Sequence, residues 1–379
     1  MTLPRRDFLH LLAAAPLAQG VTPSRAAVAQ GLTSPRPHQV LQRTGYDPTQ
    51  SHDHADGGPR RGTAEVPLKW TVSAGNDLVW EARAVPLEGA FGNPVAWTKL
   101  VVDQQEDQCS STLVVPAGGW YRIELRSHQG DAVKPVGHVE PVGVGEVFLI
   151  AGQSYADGAN DELLQVAEPL GRVAALDVVR GTWGVANDPQ PNRANGGTLW
   201  PHLGDLLVPI TQTPIGFVNV AVGGTASRQW LPGEALYQGL IAGAKGAGAF
   251  RCVLWQQGES DVIEKTATAL YIERLKTIRA AFAKEAKSNV RWLLAKSTLH
   301  PTVYNDPVGE GRIRSAIDTL WREPGFAPGP DTDILNGENR GGIGTRRHFT
   351  GIGQRRAALM WFAAIWQELL GREAPAPVR

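Results

Sequence analysis

The sequence predicts a parallel α/β sheet with flanking helices, preceded by a small β-sandwich. Two observations carry this. Between about residues 65 and 142 the apolar residues fall in short strand-like runs, with clean alternation at Trp120 to Arg126, the pattern of half-buried strands. From about residue 143 continuous apolar runs alternate with helical segments, the pattern of a parallel sheet covered on both faces.

A length of 379 residues suggests two or three domains. With 42% hydrophobic and 20% charged residues the chain can bury a sizeable core, which argues against disorder. Lys plus Arg and Asp plus Glu are 37 each, and this neutral balance gives no support to a nucleic-acid or acidic-membrane binder. The 43 Gly, 27 Pro and 12 Trp point to a loop-rich fold with aromatic-lined surfaces. Two cysteines, Cys109 and Cys252, exclude a disulfide scaffold and a four-cysteine zinc site. Both are expected as unpaired thiols, with Cys252 buried in a strand.

Residues 1–29 read as a twin-arginine-type signal peptide. Arg5-Arg6-Asp7-Phe8-Leu9 precedes an apolar run from Leu11 to Leu17, and Ala27-Val28-Ala29 is a candidate cleavage site. The run is too short to span a bilayer, and no later stretch reaches 18 uninterrupted apolar residues. The reading implies the twin-arginine export machinery as partner and a bacterial periplasmic or secreted location, with no permanent membrane span. Residues 30–64 have no apolar period and read as a flexible linker. Within it, His52, Asp53, His54 and Asp56 read as a solvated segment rather than a metal site.

Residues 65–142 carry strand-like runs at Leu68 to Ser73, Asp77 to Val85, Val95 to Val102 and Ser111 to Val115. Trp120 to Arg126 alternates, with Tyr121, Ile123 and Leu125 on one face, after an expected turn at Gly118-Gly119. The sum suggests a β-sandwich. Trp70, Trp80 and Trp97 read as core or inter-domain packing in preference to sugar platforms.

Residues 143–372 form the α/β part, and 373–379 a tail. Apolar strands are expected at Val147 to Ile150, Ile215 to Val222, Cys252 to Trp255 and Trp292 to Ala295. Helices are expected at Leu199 to Val208, Thr266 to Lys287, Glu310 to Trp321 and Gly351 to about Leu370. Such sheets place their sites at the carboxyl ends of the strands.

The chemistry-bearing residues follow those strands. Ser154 stands after Ala151-Gly152-Gln153, where a hydroxyl projects into the crevice and free N–H groups favour an oxyanion. Gly223-Gly224-Thr225 ends the second strand and leaves backbone N–H groups uncovered. The phosphate-binding glycine patterns are absent, so nucleotide binding is not expected. Gln257-Gly258-Glu259-Ser260-Asp261 ends the third strand: the Gln257 amide can aim at the same oxygen, and Glu259 and Asp261 can brace the loop. His348 precedes the last helix and can act as general base. Arg228 and Trp230, beside the Gly-Gly turn, suit either substrate contact or packing.

These pieces, with Val144-Gly145-Glu146-Val147 leading to Gly152-Gln153-Ser154, resemble the sialate O-acetylesterase and carbohydrate acetylesterase branch of the SGNH hydrolases. The motifs occur in the family's order and span roughly 143–372. The resemblance implies an SGNH-hydrolase-like sheet, with Ser154 as nucleophile and His348 as base. It implies an oxyanion hole of the Ser154 N–H, a Gly223 or Gly224 N–H and the Gln257 side chain. It also implies an acetylated carbohydrate as substrate; the acyl chemistry itself requires no metal or organic cofactor. Gln153, Tyr155, Glu259 and Asp261 would shape the site. Tyr155 replaces the family's usual Asn and should reshape the pocket. Thr345 stands where the family places the Asp that orients the histidine, so a Ser–His dyad is expected, in which a backbone carbonyl or another acid holds the ring, Asp333 and Glu338 being the candidate acids. The alternatives are a non-catalytic glycan-binding relative, or an esterase of lipid or aryl esters with a long apolar groove beside Tyr155.

Overall fold

The computed structural model describes residues 31–51, 59–72, 78–301, 303–341 and 348–371. The signal segment, the His52–Asp56 cluster, Thr345 and the tail lie outside them. The first strands are β1 (Leu32–Ser34), β2 (Val40–Gln42), β3 (Asp47–Ser51), β4 (Pro59–Arg60), β5 (Thr63–Thr71), β6 (Val79–Phe91), β7 (Val95–Lys99), β8 (Asp103–Gln105), β9 (Gln108–Pro116) and β10 (Gly118–Gln129). A long strand follows, β11 (Ala132–Gly152).

Two antiparallel layers make the sandwich: β1-β5-β9-β8, and β7-β6-β10 continued by the first part of β11. The alternation read at Tyr121, Ile123 and Leu125 holds, and all three are buried with Val66, Leu113 and Val139. Trp70 and Trp80 belong to the same core, with ring centroids 5.0 Å apart. Trp97 is covered by the guanidinium groups of Arg83 and Arg126, 4.6 and 4.0 Å from its ring.

The last part of β11 enters the second sheet, between β14 (Ile215–Asn219) and β15 (Cys252–Gln256), parallel to both. The order is β13-β12-β14-β11-β15-β16-β17, with β12 at Val173–Asp177, β13 at Thr182–Val185, β16 at Arg291–Lys296 and β17 at Phe326–Asp331. Only β13 runs antiparallel to its neighbour. From β11 the chain first fills one side, laying down β12 and β13 and returning with β14 beside β11, and then builds outward on the other through β15, β16 and β17. The gap at its carboxyl end is therefore the topological switch point, where open α/β sheets bind ligands. The fold expected from the sequence is borne out.

Helices α1 (Ser154–Asp157) and α4 (Glu259–Ile263) sit at strand ends. Helices α2 (Trp200–Thr211) and α7 (Gly351–Ile365) cover one face, packing on Phe148, Ile150, Phe217 and Leu254. Helices α3 (Ala235–Ala247), α5 (Thr268–Glu285) and α6 (Pro307–Leu320) cover the other, packing on Val147, Leu149, Val218 and Val253. Successive residues of each strand thus meet opposite layers, which is why these strands read as unbroken apolar runs.

Three expectations need correction. Residues 31–51 and 59–64 do not form a bare linker. β1 pairs with β5, β2 pairs with β11, and Leu32 and Val40 are buried. Their partners lie far along the chain, so a three-residue strand leaves no local period to read. Gly118-Gly119 is not a turn but the irregular start of β10, pairing with Val144 and Phe91; both residues have positive φ, and the Phe91 carbonyl oxygen would lie 2.0 Å from a Cβ on Gly118. Helix α3 was not expected. Gly239, Gly243 and Gly246 weaken its helical signal, yet Gly243 lets the helix approach the sheet: a Cβ there would stand 2.7 Å from Val220 Cγ1.

Both cysteines are buried and free, Cys252 within β15. Glu146 and Arg43 are fully buried and paired at 2.6 Å, while Arg251 bonds the other Glu146 oxygen at 2.7 Å. This explains the acid in the Val144-Gly145-Glu146-Val147 motif: it ties β2 and β15 to the middle of β11. No helix among the described residues is long and apolar enough to cross a membrane.

Candidate active site

β11 ends at Gly152 with φ +132°, where the Gln256 carbonyl oxygen would lie 2.1 Å from a Cβ. Only glycine allows this close approach of β11 to the end of β15. The chain then turns sharply, and Ser154 opens α1 with a side chain that is almost wholly buried. One helical turn carries little aligned dipole, so the electrophilic groups here are individual N–H donors.

The Gly-Gly turn lies beside the serine. A Cβ on Gly223 would stand 3.6 Å from Ser154 Cβ and 3.4 Å from Asp157 Oδ2. The Gly223 N–H donates to Asp157 Oδ2 at 2.7 Å, so this N–H already has an acceptor. Gly224 has φ +71° and open space on its Cβ side. Asp157, one turn beyond Ser154, also accepts from Asn192 Nδ2 at 3.0 Å. Burial pushes the Asp157 carboxyl up to about 6, while the Gly223 bond and the nearby Arg193 charge act the other way.

Gln257 is fully buried. Its Nε2 lies 2.7 Å from Asp261 Oδ2, 3.1 Å from the Thr225 carbonyl and 3.2 Å from Gln153 Oε1, and its Oε1 accepts from Tyr271 at 3.0 Å. Its amide hydrogens are therefore spent on binding the three strand-end loops together. Asp261 also accepts from the Ser227 N–H and hydroxyl, both at 2.7 Å. Glu259 accepts from Ser297 at 2.6 Å, and its other oxygen is buried with no hydrogen-bond partner. Burial pushes Glu259 up to about 8, against the pull of the Ser297 bond.

His348 lies on β19 (His348–Phe349), which pairs with β18 (Arg340–Gly341). The loop after α1 holds this strand: Phe349 N–H donates to Asn160 Oδ1 at 3.2 Å, and Asp161 N–H donates to the Phe349 carbonyl at 3.0 Å. The His348 ring meets Tyr155 edge-on at 5.0 Å and His300 at 5.5 Å. Ser154 thus stands between Gln153, bonded to Gln257, and Tyr155, packed on His348. The residues on either side of Ser154 thus contact the Gln257 and His348 motifs.

Tyr155 is fully buried, and burial raises its phenol above the usual range. Arg340 donates to its hydroxyl and lies over the Tyr155 and Phe349 rings at 4.7 and 4.8 Å. The acids expected near His348 have other work. Asp333 accepts from the N–H groups of Thr298 and Leu299, 2.7 and 2.9 Å away, and pairs with Arg314. Glu338 is exposed and pairs with Arg356. Trp230 is fully buried against Trp255 and so packs the core, away from any substrate. Arg228 is exposed and paired with Glu264 at 2.9 Å.

Sequence reasoning missed Asp157, Asn192, His300 and Arg340. Asp157 had a signal, being one helical turn from the serine. His300 also had one, since the Trp292 strand ends in Ser297-Thr298-Leu299-His300. A cavity of about 560 Å³ lies between the ends of β12 and β14 and helix α3, and neither Ser154, Gly223 nor His348 lines it. Asn192, Arg193, Asn219 and Val222 line it. Among the described residues no group of His, Cys, Asp and Glu is placed to hold a metal ion.

Residues 144–296 match the family described as carbohydrate esterase, sialic acid-specific acetylesterase, and the resemblance seen in the motifs is borne out. A probable carbohydrate esterase from Arabidopsis thaliana is 43% identical over 54 residues, which is 13% of this chain and 21% of that protein. The chain thus matches about a fifth of the length of that curated relative. Among solved structures, a carbohydrate acetylesterase from Xanthomonas citri superposes with TM-score 0.53 at 17% identity, covering 89% of this chain and 75% of that one. An Arabidopsis thaliana protein structure gives TM-score 0.46 at 17% identity, over 58% of this chain and 96% of that one.

Proposed function

We propose that this chain is an exported serine esterase that removes O-acetyl groups from a carbohydrate through an acyl-enzyme intermediate. The observation that carries the reading is that Gly223 lies beside Ser154 while the next residue, Tyr155, packs on the His348 ring, at the switch point of the sheet. The family match over 144–296 supports the same chemistry.

In this reading His348 takes the proton from Ser154 Oγ as the oxygen attacks the acetyl carbonyl. The negative charge that develops on the carbonyl oxygen is met by the N–H groups of Ser154 and Gly224. The Gly223 N–H and the Gln257 amide hold the loops that present them. Collapse of the tetrahedral species breaks the ester bond, and the imidazolium protonates the departing sugar oxygen. Water, deprotonated by His348, then releases acetate from Ser154. The cavity lined by Asn192 and Arg193 has room for a sugar ring, and Asn192 links it to Asp157 on the helix that begins with Ser154. The lipid or aryl-ester reading called for an apolar groove beside Tyr155, whereas that ring is sealed among His348, Phe349 and Arg340. The Arg5-Arg6 segment and the apolar run after it support export.

The test is hydrolysis of an aryl acetate and of acetylated glycans by the wild type and Ser154→Ala. The expected result is turnover by the wild type and a fall of at least about 10³-fold in the variant. A Ser154→Ala protein as fast as its parent sinks the proposal.

A further inference from the structure

The resemblance implies that a glycine N–H of the Gly223-Gly224 turn meets the substrate oxygen, and the structure separates the two. Gly223 N–H is taken by a side chain from the nucleophile's own helix, at 2.7 Å. That side chain, Asp157, is 6% exposed and receives a second hydrogen bond from Asn192 on the neighbouring loop. Asn192 also reaches the Asp157 backbone carbonyl, so the clamp grips both the side chain and the main chain of α1. Asn219, at the end of β14, donates to the Ala156 carbonyl at 2.9 Å from below. The turn, the helix that begins with Ser154, and the loop at the cavity edge are therefore one hydrogen-bonded unit with Asp157 at its centre.

We propose that Asp157 is a positioning residue of the acyl-transfer site: it binds the Gly223 N–H and the Asn192 amide together, fixes the Gly223-Gly224 turn against Ser154, and so sets where the Gly224 N–H meets the substrate oxygen. The inference rests on the esterase reading above and adds a division of labour to it. A carboxylate this close to a developing oxyanion would repel it if it stood free. Two donors spend its charge, and a backbone N–H is a stronger donor to an ionised acceptor than to a neutral one. The position is also suited to the task geometrically. Ser154 and Asp157 lie three residues apart on one turn, so their side chains share a face and move together.

The measurement is kinetics on an aryl acetate for the wild type, Ser154→Ala, Asp157→Ala and Asp157→Asn, with thermal unfolding of each. The alanine variant loses the acceptor and lets the turn drift. A drift on the order of 1 Å costs about 10²-fold in kcat, with KM nearly unchanged, because acetate binding does not depend on the turn. The asparagine variant keeps a side-chain oxygen for the Gly223 N–H and recovers to within about fivefold of the parent. Exchange of the Gly223 amide hydrogen gives a second readout: slow in the wild type and Asp157→Asn, fast in Asp157→Ala. Three outcomes overturn the inference: an alanine variant with parental kcat, an asparagine variant as slow as alanine, or unchanged Gly223 exchange in a folded Asp157→Ala protein. Failure of the esterase reading shows separately, as a wild type no faster than Ser154→Ala, and removes this inference with it.

Discussion

Glu259 shows how a single buried side chain fixes the behaviour of its surroundings. It is fully enclosed, its Ser297 bond satisfies one oxygen, and burial lifts its pKa to about 8. The folded protein therefore holds a proton that the unfolded chain releases near the ordinary carboxylate value. Between those two values the native state binds more protons, so stability falls as pH rises from about 4.5 to 8. Glu259→Gln mimics the neutral form and should flatten this slope. The expected result is a Tm near the parent's at pH 5 and above it at pH 8.5, read by thermal unfolding at both. At the same scale, Gln257→Ala removes the amide that ties three loops. It should cost both activity and stability, the latter by about 1–3 kcal/mol for the buried groups it leaves unpaired. A variant with normal urea unfolding and lost activity would instead make Gln257 a direct oxyanion donor. Residues with a chain-local signature, such as Ser154 after Gly152 and Gln257 after β15, were legible in the sequence. Asn192 and Arg340 were not, because their roles come from contacts across distant parts of the chain.

Helices and strands were legible to the degree that burial is one-sided or complete. β11, β14, β15 and β16 carry apolar residues toward both helical layers, and α5 and α7 carry regular apolar stripes. Helix α3 was hidden by its glycines, and β1 and β2 by their length. Close packing of helix on sheet gives a prediction for α2. A Cβ on Gly204 would stand 2.2 Å from Val173 Cγ1. Alanine is about 1 kcal/mol better than glycine in a helix interior, but forcing β12 away from α2 costs about 1–3 kcal/mol. Gly204→Ala should therefore be destabilising or at best neutral despite the gain in helix propensity. A clear rise in Tm would show that α2 and β12 part without cost.

The whole molecule is organised around one ion cluster and one strand. Glu146, fully buried, joins the buried Arg43 and the partly exposed Arg251. Removing the acid leaves two cations, one of them fully buried, without their counter-charge. Glu146→Ala should lose about 3–5 kcal/mol, measurable as a lower urea midpoint with unchanged slope. Both cysteines are free, so there is no disulfide between them to break and the same unfolding curve should not respond to a reductant. The neutral net charge and the absence of nucleotide-binding patterns gave no support to a nucleic-acid or nucleotide ligand, and they say nothing about which sugar the proposed esterase would take.

β11 runs unbroken through residues 142 and 143, where composition suggested a boundary. The same backbone that forms an edge of the sandwich core ends two residues before Ser154, the proposed nucleophile. Melting the sandwich would release the root on which the serine stands, so calorimetry should record a single endotherm with enzymatic activity vanishing along it. A piece that starts at residue 143 would be expected to lose the grip of β2 and Arg43 on that root and to come out of expression insoluble.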